Sequence, residues 1–475
     1  MFKYLIKNYT YFLHLKFTQP KNGQEYDYKA VKNKVGVMSA GQLALLALQD
    51  AYRKKIDIVL LADKTDSPAS LLINPITNQP YVKKENIVVL PQINDGKGGA
   101  KADWMDLESL KKFVDKVGIE NPITLEWENV PYEAVEYMEE TLGATVFPNS
   151  QILKTIQDRS SEKEQIQELG GKTVEYAEVD SIEEINNFIE DKGPIEDGYI
   201  LKSRKNGYDG KGQTVIREAK AIQIAFDALK DARDNGGIII EKMCDLDFEA
   251  SVIVSREADR SIKSLEPIFN IHENGMLKTS IAPTDEHAEA LFGEGMKQKL
   301  MDEAEKLITN WTDYNGILTV EFFVDKAGKI LVNEVAPRTH NSGHATIDTG
   351  GTSQNELWLN SVSGRITKLV KNTKSVVMKN LLIPEILAFY KDRLEKGQLL
   401  EGYEVLADYF KVLSLEGINV PSWDDASFDV PDGVDPRKVG HMNFARTNKV
   451  NELLMEVIGG TKTLKNLLDY IEGMK

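Results

Sequence analysis

GILTVEFFVD, DKAGK and KILVNEVAPR, over residues 316–338, read as two strands around a turn at 325–329. Pairing Val324 with Ile330 brings Glu321 opposite Asn333 or Glu334. Like charges opposed in a ladder are destabilising. A hard divalent cation removes that cost, because magnesium accepts one or two carboxylates together with substrate phosphates. Apolar neighbours on both sides of Glu321 argue for a largely buried strand, where an acid wants a partner or a metal. A surface hairpin with its acids on opposite faces is the plainer alternative.

Three more segments carry chemistry. APRTHNSGHATIDTG, residues 336–350, follows the hairpin at once and gathers Arg338, His340, Asn341, Ser342 and His344, a density of donors suited to small anions. Its HxxxH spacing also fits a zinc pair on a helix, but Pro337 and Gly343 argue against a helix and no third ligand is obvious. LKSRKNGYDGKGQTVI, residues 201–216, sets Gly207, Gly210 and Gly212 with Lys205 and Lys211 between two strands. Backbone N–H groups of such a loop wrap phosphate oxygens, though a simple β-hairpin explains the glycines as well. GIIIEKMCDLDFEASVIVSR, residues 237–256, ends one apolar strand on Glu241 and opens the next with Glu249, which suits an adenine hinge with an acid on ribose hydroxyls or an ordinary sheet edge. GGKT at 170–173 fails as a P-loop because the motif's first glycine falls on Ile166, and no GxGxxG is present.

The elements that must position these residues follow from the hydrophobic periods. VGVMSAGQLALLALQDAYRKK, IDIVLLAD, NIVVLP and PITLEWENV, with the helix DLESLKKFVDKV, give the strand–helix alternation of a parallel sheet. Residues 74–103 are turn-rich and read as a surface insertion. PNSQILKTIQDRSSEKEQIQELG predicts one capped, charged helix ending at glycine. Strands then dominate through Pro283, mixed with helices, as in an α+β domain, and a last region from about Val376 carries helices and an acidic loop.

Composition excludes several classes. The 475 residues hold 74 acidic and 58 basic side chains, a net charge of −16, which opposes general nucleic-acid binding. One cysteine, Cys244, excludes an internal disulfide framework and every CxxC site, so a cytoplasmic location is the simplest reading. Nothing nearby activates its thiol. No apolar run approaches the roughly 18–20 residues needed to span a bilayer. The aromatic, lysine-bearing residues 1–17 lack a clean apolar block and a small-residue cleavage site, so a family-specific extension or edge strand is preferred over an organellar address.

TLEWENVP (124–131), IQDRSSEK (156–163), YILKSRKNGYDGKGQ (199–213), NIHENGML (270–277), VNEVAPRTHNSGHATIDTGGTSQNE (332–356) and RKVGHMN (437–443), in this order, resemble the 5-(carboxyamino)imidazole ribonucleotide synthase family of the ATP-grasp superfamily. The pattern covers roughly residues 33–445. The resemblance implies an α/β and α+β multidomain chain: an extension (1–32), a Rossmann-like parallel-sheet domain (33–146), an ATP-grasp domain (147–372) and a small C-terminal domain (373–475). It implies that bicarbonate attacks the γ-phosphate of ATP, and that carboxyphosphate then delivers carbon dioxide to 5-aminoimidazole ribonucleotide. Arg159, Lys202, Glu241, Glu249 and His272 match nucleotide contacts, with Asn333 beside them, and Glu321 and Glu334 match ligands of magnesium, or of manganese in its place. Gly207, Tyr208, Asp209, Gly210, Lys211, Gly212 and Gln213 fall on a loop that closes over the phosphates. Arg338, His340 and Asn341 match the bicarbonate and carboxyphosphate cluster, and Arg437 and Lys438 the contacts to the ribonucleotide phosphate. A homodimer with only small-molecule substrates, neither nucleic acid nor membrane, is implied as well.

Three positions depart from the family pattern: MSAGQL replaces a glycine-rich turn and keeps only Gly41 and Gln42, Val430 stands where a lysine is usual, and Ile383 where glycine is common. They touch the ribonucleotide side or the tail rather than ATP. Two other readings stay open: another ligase of the superfamily, of the formate-dependent glycinamide ribonucleotide transformylase type, and a nucleotide-binding paralogue without catalysis.

Overall fold

The computed structural model describes residues 31–65, 67–74, 77–94, 96, 99–205, 212–273, 275–381 and 440–444. The first sheet is parallel, in the order Ile87–Val89, Asp57–Ala62, Lys34–Met38, Pro122–Leu125 and Thr145–Phe147. Its strands are apolar almost throughout because both faces are covered: the helix Gln42–Arg53 packs on one side and Leu107–Val117 on the other. The insertion at 74–103 forms two small hairpins, Ile73–Asn74 with Gln79–Pro80 and Gln92–Asn94 with Ala100–Ala102.

A second, antiparallel sheet runs Tyr176–Val179, Ile238–Lys242, Tyr199–Ser203 and Gln213–Ile216, with the helices Ile182–Lys192 and Ala219–Ala228 packed into its core. The third sheet runs Ile330–Ala336, Gly316–Asp325, Leu246–Arg256, Ile268–Glu273, Met276–Ala282, Val376–Leu381 and Gly440–Phe444, and Ile262–Ser264 pairs alongside. Two strands of the C-terminal region therefore join this sheet.

Alternation on the central strands separates core from site. Phe248, Ala250, Val252 and Val254, with Leu318, Val320, Phe322 and Val324, face the helix Met296–Asn310. Glu249, Ser251, Thr319 and Glu321 take the opposite face, as the two-residue strand period requires. The first and third sheets share one apolar cluster, in which Val35, Val37 and Leu45 join Ile253, Ile317 and Trp358. The Trp358 indole also donates to Thr124 Oγ1 at 3.1 Å.

Two local expectations change. The single helix expected over 148–170 is two, Ser150–Ile156 and Arg159–Glu168. Asp158 breaks it, leaving helical geometry to cap the second helix with its side chain on Ser160 N. The segment after Asn341, where Pro337 and Gly343 argued against a helix, forms a short 3-10 helix, Ser342–Asp348. Among the described residues, no helix is long and apolar enough to cross a membrane.

Candidate active site

The hairpin pairs Val324 with Ile330, and beyond a bulge Glu321 faces Glu334 rather than Asn333. Val332 and Val335 are both in the core although three residues apart, so the strand must spend one extra residue between them. That residue is Asn333, and it leaves Glu334 on the same face as Glu321. Glu162 Oε1 accepts from Val335 N at 2.8 Å, and Lys163 Nζ donates to Asn333 O at 3.4 Å, so the helix Arg159–Glu168 satisfies the bulged backbone.

The two carboxylates are electrostatically unequal. Burial, then the charge on Glu334, push the Glu321 carboxyl up to about 8. Burial would raise Glu334 also, but Arg159 and Lys202 hold it at about 2. Arg159 Nη1 donates to Glu334 Oε2 at 3.1 Å. Glu321 Oε1 and Asn333 Oδ1 are buried without a hydrogen bond. A cation bound between the acids would serve both atoms and offset the mutual repulsion, so these residues fit a magnesium site.

Behind this pair lies a buried ionic triad. Glu241, 2% exposed, holds Lys163 Nζ at 3.0 Å through Oε1 and Lys202 Nζ at 2.7 Å through Oε2. Burial works against the charge, yet the two ammonium groups keep the Glu241 carboxyl at about 2. Lys202 comes from the hairpin of the second sheet, paired with Gln213 just beyond Gly212. Each oxygen of Glu241 has an ammonium group beside it, which leaves its backbone, rather than its carboxylate, for any base nearby. Glu249 Oε2 lies 2.6 Å from His272 Nδ1, and the His272 imidazole rises to about 9: burial opposes the rise and Glu249 outweighs it.

The cation-rich segment reaches the first sheet. The guanidinium of Arg338 grips Glu128 with two nitrogens, Nη2 to Oε1 at 2.7 Å and Nε to Oε2. Glu126, two residues earlier, accepts from Ser39 Oγ at 2.7 Å, Gly41 N at 2.5 Å and Ala44 N at 2.9 Å. The protein's own carboxylate thus takes the N–H groups at the start of the helix Gln42–Arg53, at the turn where MSAGQL departs from the family's glycine-rich pattern. A side chain at position 41 would collide with it, its Cβ only 2.4 Å from Glu126 Oε1.

His340 Nε2 lies 3.2 Å from Glu321 Oε1, while His344 turns to Gln354 Nε2 at 3.2 Å. The two histidines have different partners, and among the described residues no group of three or more His, Cys, Asp or Glu could hold a metal ion, so the zinc pair has no support.

The structure therefore gathers Arg159, Lys202, Glu241, Asn333, Glu321, Glu334, Arg338 and His340 into one charged cluster, with Glu249 and His272 on the third sheet beside Glu321. Asn341 follows His340 and precedes the 3-10 helix, its Nδ2 buried without a hydrogen bond. Gly207, Tyr208, Asp209, Gly210, Lys211, Arg437 and Lys438, together with Val430 and Ile383, lie outside the described residues. Glu126, Glu128, Glu162, Lys163 and Gln354 were missed as candidates, although all five fall in the quoted segments TLEWENVP, IQDRSSEK and VNEVAPRTHNSGHATIDTGGTSQNE. The bulge backbone called for Glu162, a signal visible only as the three-residue spacing of Val332 and Val335.

Comparison with known proteins agrees with this geometry. The ATP-grasp domain model matches residues 164–355. N5-carboxyaminoimidazole ribonucleotide synthase of Bacillus subtilis (strain 168) is 33% identical over 312 residues, 64% of this chain and 77% of that protein. The protein of the same name from Staphylococcus haemolyticus (strain JCSC1435) is 28% identical over 419 residues, 88% of this chain and 94% of that one. The crystal structure of N5-carboxyaminoimidazole synthetase from Staphylococcus aureus complexed with ADP superposes with a TM-score of 0.66 at 24% identity, covering 92% of this chain and 99% of that chain. The chain, with its opposed acids and Arg338–His340 segment in one ATP-grasp cleft, belongs to the N5-carboxyaminoimidazole ribonucleotide synthase family.

Proposed function

We propose that this protein carboxylates 5-aminoimidazole ribonucleotide in purine biosynthesis, consuming ATP and bicarbonate and releasing ADP and phosphate. The observation that carries the reading is the cleft of a family member in which Glu321 and Glu334 oppose each other within reach of Arg159, Lys202 and His340.

A bicarbonate oxygen attacks the γ-phosphorus of ATP, the bond to the β,γ-bridging oxygen breaks, and ADP leaves. Carboxyphosphate then splits to phosphate and carbon dioxide, whose carbon is captured by the exocyclic amine, which gives up a proton. Positioning and charge neutralisation supply most of such a barrier reduction. Lys202 and Arg159 place fixed positive charge at the phosphates, Lys202 steadied by Glu241. Arg338, gripped by Glu128 and donating from Nη1 to Thr339 O at 2.8 Å, is assigned to placing positive charge beside a carboxylate-like anion, and His340 and Asn341 add donors at the same strand end. Glu321, Glu334 and Asn333 would hold magnesium or manganese, which neutralises phosphate charge when bound. Tyr208, Asp209 and Lys211, with Gly207, Gly210, Gly212 and Gln213, are assigned to covering the phosphates, which keeps water from carboxyphosphate. Arg437 and Lys438 are assigned to the ribonucleotide phosphate, and Glu249 and His272 to the nucleoside. The working form is taken to be a cytoplasmic homodimer, its domains divided at about 146 and 372.

The deciding experiment incubates the protein with ATP, magnesium, labelled bicarbonate and the ribonucleotide, and follows ADP and product mass. Labelled carboxylated product with ribonucleotide-stimulated ADP release is expected. Product only with formate would favour the transformylase type, and ATP binding without turnover under any acceptor would favour an inactive paralogue.

A further inference from the structure

A file of buried polar side chains runs across the third sheet and ends on the His340 ring. Ser280 Oγ donates to Asn270 Oδ1 at 2.8 Å, and Asn270 Nδ2 donates to Ser251 Oγ at 3.1 Å. Ser251 Oγ lies 2.7 Å from Ser342 Oγ, which lies 2.9 Å from His340 Nδ1. His340 Nε2 faces Glu321 Oε1. Ser280, Ser251 and Ser342 are fully buried and Asn270 almost so. They come from the neighbouring strands Leu246–Arg256, Ile268–Glu273 and Met276–Ala282 and from the 3-10 helix Ser342–Asp348.

The direction of each hydrogen bond is set from both ends. An amide nitrogen only donates, so the lone pair that Ser251 turns to Asn270 is used, and its own proton is free for Ser342. At the other end the backbone N–H of Ser342 points at His340 Nδ1 at 3.3 Å, which requires that nitrogen to accept. Ser342 therefore gives its proton to Nδ1, and the ring carries its hydrogen on Nε2, on the side of Glu321, whose Oε1 lies 3.2 Å away without forming a hydrogen bond. Gln354 fixes the backbone beneath the ring, accepting from His340 N and donating to His340 O, both at 2.9 Å. Gly343 leaves room for that amide, since a Cβ there would stand 2.0 Å from Gln354 Oε1.

We propose that Asn270, Ser251 and Ser342 are positioning residues that hold His340 in its Nε2–H tautomer, so that the donor aimed into the cleft is always present. This inference rests on the reading of His340 as part of the bicarbonate and carboxyphosphate cluster. The file is buried, and it acts through the orientation of one ring.

The test uses full-length protein labelled with 15N-histidine, whose six histidines make the spectrum sparse. His340 is assigned by the signal lost in His340→Gln, and its protonated nitrogen is read from long-range couplings to the ring protons, without substrate. Wild type should show hydrogen on Nε2. Ser251→Ala and the isosteric Asn270→Asp should shift population to Nδ1–H and lower kcat about 10–100-fold, with KM for ATP nearly unchanged. Ser251→Thr, which keeps the hydroxyl, should restore both. An Nδ1–H ring in wild type, or variants that change neither tautomer nor kcat, would overturn the proposal. Because the tautomer is read without turnover, failure to carboxylate the ribonucleotide counts against the functional reading alone.

Discussion

Replacing Glu241 by glutamine keeps the side chain's shape and removes the charge that two buried ammonium groups share. The Glu241 carboxyl sits at about 2 in the folded protein, against about 4.3 in an unfolded chain. That depression contributes about 3 kcal/mol at pH 7. The group is 2% exposed, so solvent screening takes little from the figure. Breaking a buried pair from one side costs about 3–5 kcal/mol by a separate route, and the two estimates agree. Because the folded value is the lower one, the contribution is complete above the unfolded value and is lost as pH falls toward 2. The gap between wild type and Glu241→Gln in urea unfolding, followed by circular dichroism, should be about 3 kcal/mol at pH 7 and about 2 kcal/mol at pH 3.5. Lys163→Met, which leaves the Glu241–Lys202 pair in place, should lose less. Equal stability at pH 7, or a gap that widens in acid, would refute the account of the triad.

Glu334→Gln should lower magnesium-dependent ATP turnover about 100-fold or more while the melting temperature stays within a few degrees; a magnesium titration of ADP release checks this. Arg338→Lys keeps the charge but loses the two-pronged grip on Glu128, and should cut bicarbonate-dependent turnover about 10-fold or more with ATP binding by calorimetry unchanged. Asp158→Ala removes the cap of the helix Arg159–Glu168, worth about 1 kcal/mol, and also frees Arg204, which binds both Asp158 oxygens; a loss above the cap value in urea unfolding is the expected result. Burial pushes the Cys244 thiol up to about 11, so alkylation at pH 8 should be much slower than for an exposed thiol, as mass spectrometry of a time course would show.

Local periodicity made the elements legible, because strands and amphipathic helices write their burial into residues one to four apart. The parallel first sheet, the register of Val324 with Ile330 and the strands bearing Glu241 and Glu249 all followed from it. It misread 148–170 because helical spacing continues smoothly through Asp158, and only the cap geometry shows the break. The choice between Asn333 and Glu334 also lay beyond it, since a bulge depends on what the partner strand and the helix Arg159–Glu168 supply.

What the sequence by itself determined is the inventory: two acids on one hairpin, a cluster of strong donors directly after it, lysine and glycine on another hairpin, and the family these segments resemble. What only the tertiary structure decided is which charges meet. Arg338 finds Glu128 across 210 positions, Glu126 takes the N–H groups at the start of the helix Gln42–Arg53, and Lys163 joins Glu241 and Lys202 in the interior. A side chain's type is local information. Its partner is set where separate sheets pack, and burial there turns each unpaired charge into a cost that the fold must satisfy.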